Sequence, residues 1–174
     1  ADISSAAFFM VAAAILPESS LILHEVGINP TRSGVLDVFQ QSGLSATILD
    51  QCVAMGEPMA SIEVQGGTVG SAFSIEGDLV PRLVDEIPIL AVLATQLDGV
   101  SRIRDANELR VKESDRIEAV ATGLRAMGAV VDVFDDGMDI SGPTRLKGAH
   151  IEANHDHRIA MAFAIAGLIA EGET

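Results

Sequence analysis

The 174-residue sequence has no tryptophan or tyrosine and only six phenylalanines. A chain so poor in large aromatic rings offers little for nucleic-acid bases to stack on. Positive charge is also scarce: 11 Lys and Arg stand against 25 Asp and Glu, a formal charge of −14. A nucleic-acid surface needs a broad basic face, so that class of function is excluded. The one cysteine, Cys52, cannot form an intramolecular disulfide and fits a reducing compartment. No apolar run reaches the length of a membrane span, so no membrane partner is expected. The run "AAFFMVAAAIL" (6–16) is too short and follows Asp2, which fits a buried helix better than a signal sequence. What is plentiful is apolar. A hydrophobic content of 48% and a mean hydropathy of +0.36 predict a packed globular body, with length enough for one core or two small ones. The chain does not open on Met, and both ends fall inside apparent structure, so it reads as a piece of something larger.

A repeated order of elements runs along the chain. "DISSAAFFMVAAAIL" reads as a helix capped by Asp2 or Ser4 and closed by Pro17. "SLILHEVG" alternates as a strand, and "INPTRSG" is a turn. "VLDVFQQSG" sets Val35, Leu36, Val38 and Phe39 on one helical face and stops at Gly43. "SATILDQCVA" and "ASIEVQG" then read as paired strands. The order returns with the helix "VDEIPILAVLATQLDG" behind an acidic cap, the strand "VSRIRDA" and the polar connection "NELRVKESDR". The helix "IEAVATGLRAMG" follows, then a strand pair around an Asp136-Gly137 turn. Asp2 and Asp85 are 83 positions apart, and Gly43 and Gly128 are 85 apart. That agreement points to a duplicated unit of helix, strand, helix and strands, with "NHDHRIAMAFAIAGLIAEGET" opening a third copy.

Charge gathers where these helices begin. In "ELRVKESDR" the cations Arg110, Lys112 and Arg116 alternate with Glu108, Glu113 and Asp115. Asp115 and Glu118 have capping-box spacing, worth roughly 0.5–2 kcal/mol. Capping leaves Lys112, Glu113 and Arg116 unexplained, because cations at a helix N-terminus oppose its dipole. An anionic ligand resolves that conflict; a surface ion-pair cluster is the plainer reading. A second cluster, Asp156, His157 and Arg158, heads the helix "RIAMAF". His155 and His157 lack a third ligand at zinc spacing. In a third place, Asp85 and Glu86 precede "IPILAV", where a cap is the simplest reading. Three charged helix starts on successive copies favour convergence on one cleft.

"DISSAAFF", "INPTR", "DEIPILAV", "ELRVKESDR" and "HDHRIAMAF" occur in this order and at similar spacing in the 5-enolpyruvylshikimate-3-phosphate synthases, which the chain resembles over nearly its whole length. "NPTR" and "DEIPILAV" look most like the glyphosate-tolerant bacterial class. The resemblance implies an α/β fold of repeated βαβαββ units (the inside-out α/β barrel of enolpyruvyl transferases). About two and a half units are expected in residues 1–174, most of one domain, with the second substrate-binding domain and the C-terminal end lying outside. It implies transfer of the enolpyruvyl group of phosphoenolpyruvate to the 5-hydroxyl of shikimate 3-phosphate in the cytoplasm, with no cofactor and the remainder of the enzyme as partner. Asp85 then corresponds to the aspartate that contacts shikimate hydroxyls and accepts a proton, and Glu113 to the glutamate beside the phosphoenolpyruvate methylene. Lys112 corresponds to a lysine at the shikimate phosphate-sugar site, and Arg116 and Arg158 to two arginines that bind phosphoenolpyruvate. Where the family often has Asn, this chain has Glu108. UDP-N-acetylglucosamine enolpyruvyl transferase, of shared fold and chemistry, and a noncatalytic repeat domain are the alternatives.

Overall fold

The computed structural model describes residues 1–174. Its first unit runs α1 (Ile3–Ile15), β1 (Ser20–Gly27), α2 (Gly34–Gln41), β2 (Ser45–Ala54) and β3 (Glu57–Gln65). The second adds a short leading strand, giving β4 (Ser74–Ile75), α3 (Ile87–Ala94), β5 (Gly99–Ile103), α4 (Arg116–Ala126), β6 (Val130–Phe134) and β7 (Gly137–Gly142). Helix α5 (His157–Gly167) follows. The sheets have orders β1-β3-β2 and β4-β5-β7-β6, so the antiparallel trio of the first recurs in the second. Strand β4 joins β5 in parallel; at two residues it is too short to leave an alternation signal in the sequence.

The duplication extends to backbone detail. Helices α2 and α4 both end on a glycine with positive φ, Gly43 at +68° and Gly128 at +93°. In each, the next amide reaches back to the helix, Leu44 N–H to Phe39 O and Ala129 N–H to Leu124 O, both at 2.9 Å. This is a Schellman end, which only a residue at ease in the left-handed region closes without strain. Bridges Ser71–Asp98 and Lys147–Glu171 are both parallel, and the second marks the opening of the third unit.

Each strand pair closes through a two-residue turn. Met55 and Gly56, with φ of +52° and +84°, join β2 to β3. In the second unit the turn is Asp135-Asp136, one position earlier than expected, and Gly137 already pairs with Phe134. The glycine answers to packing: a Cβ there would lie 1.9 Å from the Ile103 carbonyl oxygen.

Helices α1, α3 and α5 pack on one another within a single core of 44 buried apolar residues drawn from both units. Helix α3 is buried all round, which accounts for its unbroken apolar sequence "IPILAVLA". No helix is long and apolar enough to cross a membrane. Equivalent glycines let each sheet approach the end of its central helix. A Cβ on Gly66 would stand 2.2 Å from Leu16 O and 2.4 Å from Ala13 O; one on Gly142 would stand 2.4 Å from Leu97 O and 2.6 Å from Ala94 O. Gly66→Ala and Gly142→Ala should each lower the unfolding free energy measured in urea by about 1–3 kcal/mol through overpacking. Gly167→Ala, whose nearest neighbour would be 3.4 Å away, should be neutral or stabilising, and equal losses at all three positions would contradict the close-approach assignment.

Candidate active site

The N-termini of α1, α3 and α5 meet at one mouth. Asp2 caps α1 by accepting from Ser5 N–H at 3.1 Å, and Asp156 caps α5 by accepting from Arg158 N–H at 2.9 Å. Helix α3 breaks the pattern and corrects the expected acidic cap: Glu86 holds the N-cap position, yet its side chain makes no capping bond. A capping carboxylate bonds the second or third amide of the helix, and the second residue here is Pro88, which has no N–H.

Asp85 turns instead toward two arginines. Its Oδ1 accepts from Arg116 Nη1 at 3.1 Å, and its Oδ2 from Arg158 Nη2 at 3.4 Å, while its backbone carbonyl accepts from Arg158 Nη1 at 3.3 Å. Arg116 opens α4 and is the centre of the cluster, with its side chain 1% exposed. Its Nε donates to Asp156 Oδ2 at 2.8 Å, and its Nη2 to Glu113 Oε2 at 2.6 Å and to Asp156 Oδ1 at 3.4 Å. The three carboxylates differ in kind. Asp156 has a 0% exposed side chain and also accepts from Ser114 Oγ at 3.1 Å. Asp85 and Glu113 are 37% and 51% exposed. Arg116 thus has one fixed partner and two that face the mouth.

The conflict between a cation and a helix N-terminus is therefore resolved within the chain: the guanidinium that opposes the α4 dipole is enclosed by carboxylates. Burial of Arg116 works against its charge, but the hydrogen bonds and fields of Asp156 and Glu113 outweigh it and raise its pKa. Burial likewise pushes Asp156 up, and the Arg116 hydrogen bond and Arg158 amide outweigh that, holding its carboxyl below the usual range. Glu86, 2% exposed, keeps its raised pKa: burial dominates, and the Ser4 hydroxyl and Arg158 offset it only in part.

The other cations of "ELRVKESDR" have separate work. Arg110 pairs with Asp115 at 2.8 Å and donates to the carbonyls of Asp135 at 2.7 Å and Phe134 at 2.8 Å, tying the α4 start to the β6–β7 turn. Lys112 pairs with Glu108. Only half of the capping box forms: Asp115 accepts from Glu118 N–H at 3.1 Å, while the Glu118 carboxylate lies 3.4 Å from Thr122 Oγ1. Of the residues expected at the site, Asp85, Glu113, Arg116 and Arg158 join in one network and Lys112 stands apart in its own ion pair. In the sequence Asp156 stands in a charged helix start and Glu86 reads most simply as part of a cap, and neither is among the expected site residues. The alignment of helix starts could have singled out Asp156, which lies on α5 where Asp2 lies on α1. No group of three His, Cys, Asp or Glu side chains is arranged to hold a metal ion.

Duplicated α/β units that bring arginines and carboxylates from the starts of α3, α4 and α5 to one mouth define the class. The enolpyruvyl transferase NikO from Streptomyces tendae has this fold, at a TM-score of 0.70 and 17% identity over 98% of the chain and 37% of that protein. The chain belongs to the EPSP synthase (3-phosphoshikimate 1-carboxyvinyltransferase) family, which matches residues 1–174. It is 54% identical to the 3-phosphoshikimate 1-carboxyvinyltransferase of Alkaliphilus oremlandii over 173 residues, 99% of the chain and 40% of that enzyme. It is also 54% identical to that of Thermosynechococcus vestitus over 171 residues, 98% of the chain and 39% of that enzyme. EPSP synthase from Acinetobacter baumannii superimposes at a TM-score of 0.95 with 43% identity, over 98% of the chain and 40% of that structure. The chain thus spans about two fifths of the length of these relatives.

The burial difference sets a stability order. Asp156→Asn leaves Arg116 buried with half its fixed partner gone and should cost roughly 3–5 kcal/mol. Glu113→Gln, at a half-exposed pair, should cost at most about 1 kcal/mol. Because the Asp156 pKa is lowered in the fold, its contribution is present above the ordinary carboxylate value and lost as pH falls through the lowered one. Acid unfolding profiles of the two variants check both statements, and equal losses would refute the division into fixed and exchangeable partners.

Proposed function

We propose that this chain is part of an enzyme that transfers the enolpyruvyl group of phosphoenolpyruvate to the 5-hydroxyl of shikimate 3-phosphate, releasing phosphate. The observation that carries the reading is Asp85 bridging Arg116 and Arg158, with Glu113 on the same guanidinium. The reaction adds an alcohol across an enol double bond and then eliminates phosphate. A base takes the hydroxyl proton as the oxygen bonds to C2, and an acid supplies a proton to the methylene carbon. Loss of a proton from the resulting methyl group, with departure of phosphate, restores the double bond. Asp85 is the base at the hydroxyl and Glu113 the group at the methylene. Arg158 and Arg116 hold phosphoenolpyruvate, whose planar carboxylate and phosphate suit guanidinium forks. Lys112 leaves Glu108 for the phosphate of shikimate 3-phosphate.

In the free site Glu113 and Asp85 occupy the donors that the anion needs, as placeholders. Binding displaces them from Arg116, while Asp156 keeps the guanidinium in place, and the freed carboxylates become available for proton transfer. The cluster has more carboxylates than cations, so further positive charge comes from the remainder of the enzyme, including its second domain. The groove of about 510 Å³ beside Ala160, Phe163, Ala164 and Gly167 of α5 offers that remainder an apolar face to pack on. The corresponding helix α1 is covered by β1 and β3. Residues 1–174 form most of one domain of this enzyme, which acts in the cytoplasm on the shikimate pathway. "NPTR" and "DEIPILAV" ally it with the glyphosate-tolerant bacterial class.

Titrating phosphoenolpyruvate and shikimate 3-phosphate into the chain reunited with the rest of the enzyme tests the assignment. Binding of a UDP-sugar in place of shikimate 3-phosphate would transfer it to the related enolpyruvyl transferase, and binding of none would leave a noncatalytic repeat. In the complete enzyme, Asp85→Asn and Glu113→Gln should each lower turnover by about 10²–10⁴ with little change in affinity. Arg158→Ala should weaken phosphoenolpyruvate and spare shikimate 3-phosphate alone; equal loss of both would misplace it. Expressed alone, the chain should associate and turn over no substrate, since exposed apolar grooves favour association. A monomeric isolated chain with full turnover contradicts this.

A further inference from the structure

Glu86 has no part in the chemistry above. Its side chain lies at the junction of α1, α3 and α5, and its Oε1 is buried with no hydrogen-bond partner. A small cavity of about 50 Å³ adjoins it, lined by Ser4, Arg32, Arg82, Asp85 and Glu86 among others. A buried carboxylate oxygen without a donor is costly and calls for a compensating role. Arg158, which the proposed function assigns to phosphoenolpyruvate, is held only by two long hydrogen bonds to Asp85. Glu86 directly precedes α3 beside Asp85, the residue that holds Arg158, and the charges of Glu86 and Arg158 act on each other.

Resting on that functional reading, we propose that Glu86 is a positioning residue that sets the anion affinity of the site, drawing Arg158 inward when ionised and releasing it to the substrate when neutral. Every charged or polar group around it bears on this balance. Ser4 faces the cavity from α1, Arg32 from the segment before α2, and Arg82 and Asp85 from the segment before α3, while the charge of Arg158 acts from α5. The raised pKa of Glu86, caused first by burial, puts the exchange of its proton nearer neutrality than for an exposed glutamate. An ionised Glu86 competes with the substrate anion for the same guanidinium and repels it directly. Both effects have one sign, so neutral Glu86 tightens binding.

The test measures phosphoenolpyruvate affinity by calorimetry in the complete enzyme saturated with shikimate 3-phosphate, comparing wild type with Glu86→Gln. At about pH 8 the variant should bind roughly three- to tenfold more tightly, as expected for removing one charge several ångströms away at intermediate dielectric. The gap should narrow as pH falls, because the raised pKa lets the wild-type carboxyl take up its proton before an exposed glutamate would. His155 and His157 are present in both proteins, so the comparison removes their contribution. Ser4→Ala is the second variant. The Ser4 hydroxyl favours the charged form, so its removal should shift wild-type affinity toward that of Glu86→Gln at intermediate pH. A purely structural Glu86 would change the melting temperature and turnover without this pH-dependent gap. Equal or weaker binding by Glu86→Gln at about pH 8, or a gap constant with pH, overturns the proposal. Failure of the wild-type enzyme to bind phosphoenolpyruvate at all overturns the functional reading, and this inference with it.

Discussion

The buried pair of Arg116 and Asp156 is the constraint on which the site depends. It joins the first residue of α4 to the cap of α5, and through Asp85 it reaches the start of α3. An ionised pair shut away from water is tolerable only if its remaining donors and acceptors are satisfied. Here Ser114, the Arg158 amide, Asp85 and Glu113 do that work. The same geometry makes the site exchangeable, because two of the three carboxylates on the guanidinium face the mouth and one does not. Under the proposed function, such a site is preorganised for an anion, with Asp85 and Glu113 standing where the ligand's oxygens would go.

The repeat explains why such a cluster forms at all. Helices α1, α3 and α5 pack on one another at the centre of the shared core and begin at the same end, while α2 and α4 add residues such as Phe39 and Leu124 to it. Whatever residues the sequence places at the helix starts are therefore brought together in space although they lie more than 70 positions apart, as Asp85 and Arg158 do. The glycines at 66 and 142 contribute from the other end, since close passage of the strands past the helix C-termini fixes how deep the helices sit.

Much of this was legible in the sequence because it is local. Asp2, Asp115 and Asp156 cap their helices, Gly43 and Gly128 end theirs, and alternation marked most strands. The charged starts of α3, α4 and α5 do bring Asp85, Glu113, Arg116 and Arg158 together, but α3 and α4 lie in one unit and α4 is the counterpart of α2, so the period alone does not give these residues equivalent positions. What escaped was whatever depends on a third party. Glu86 looked like a cap because the loss of the Pro88 amide matters only once the helix register is fixed. The cations of "ELRVKESDR" looked like one group, yet Arg110 serves a hairpin and Lys112 an exposed ion pair. Gly137 looked like a turn residue, but its lack of a side chain answers to Ile103, a strand away.

A double-mutant cycle in the complete enzyme tests the central claim most directly, using Arg116→Met with Asp156→Asn and, in parallel, Arg116→Met with Glu113→Gln. Unfolding free energies of the single and double variants give each coupling energy. If the Arg116–Asp156 pair is the fixed anchor and Glu113 a placeholder, the first coupling is expected at about 2–3 kcal/mol and the second below about 1 kcal/mol. Equal couplings, or a larger one for Glu113, would contradict the division on which the exchangeable site rests.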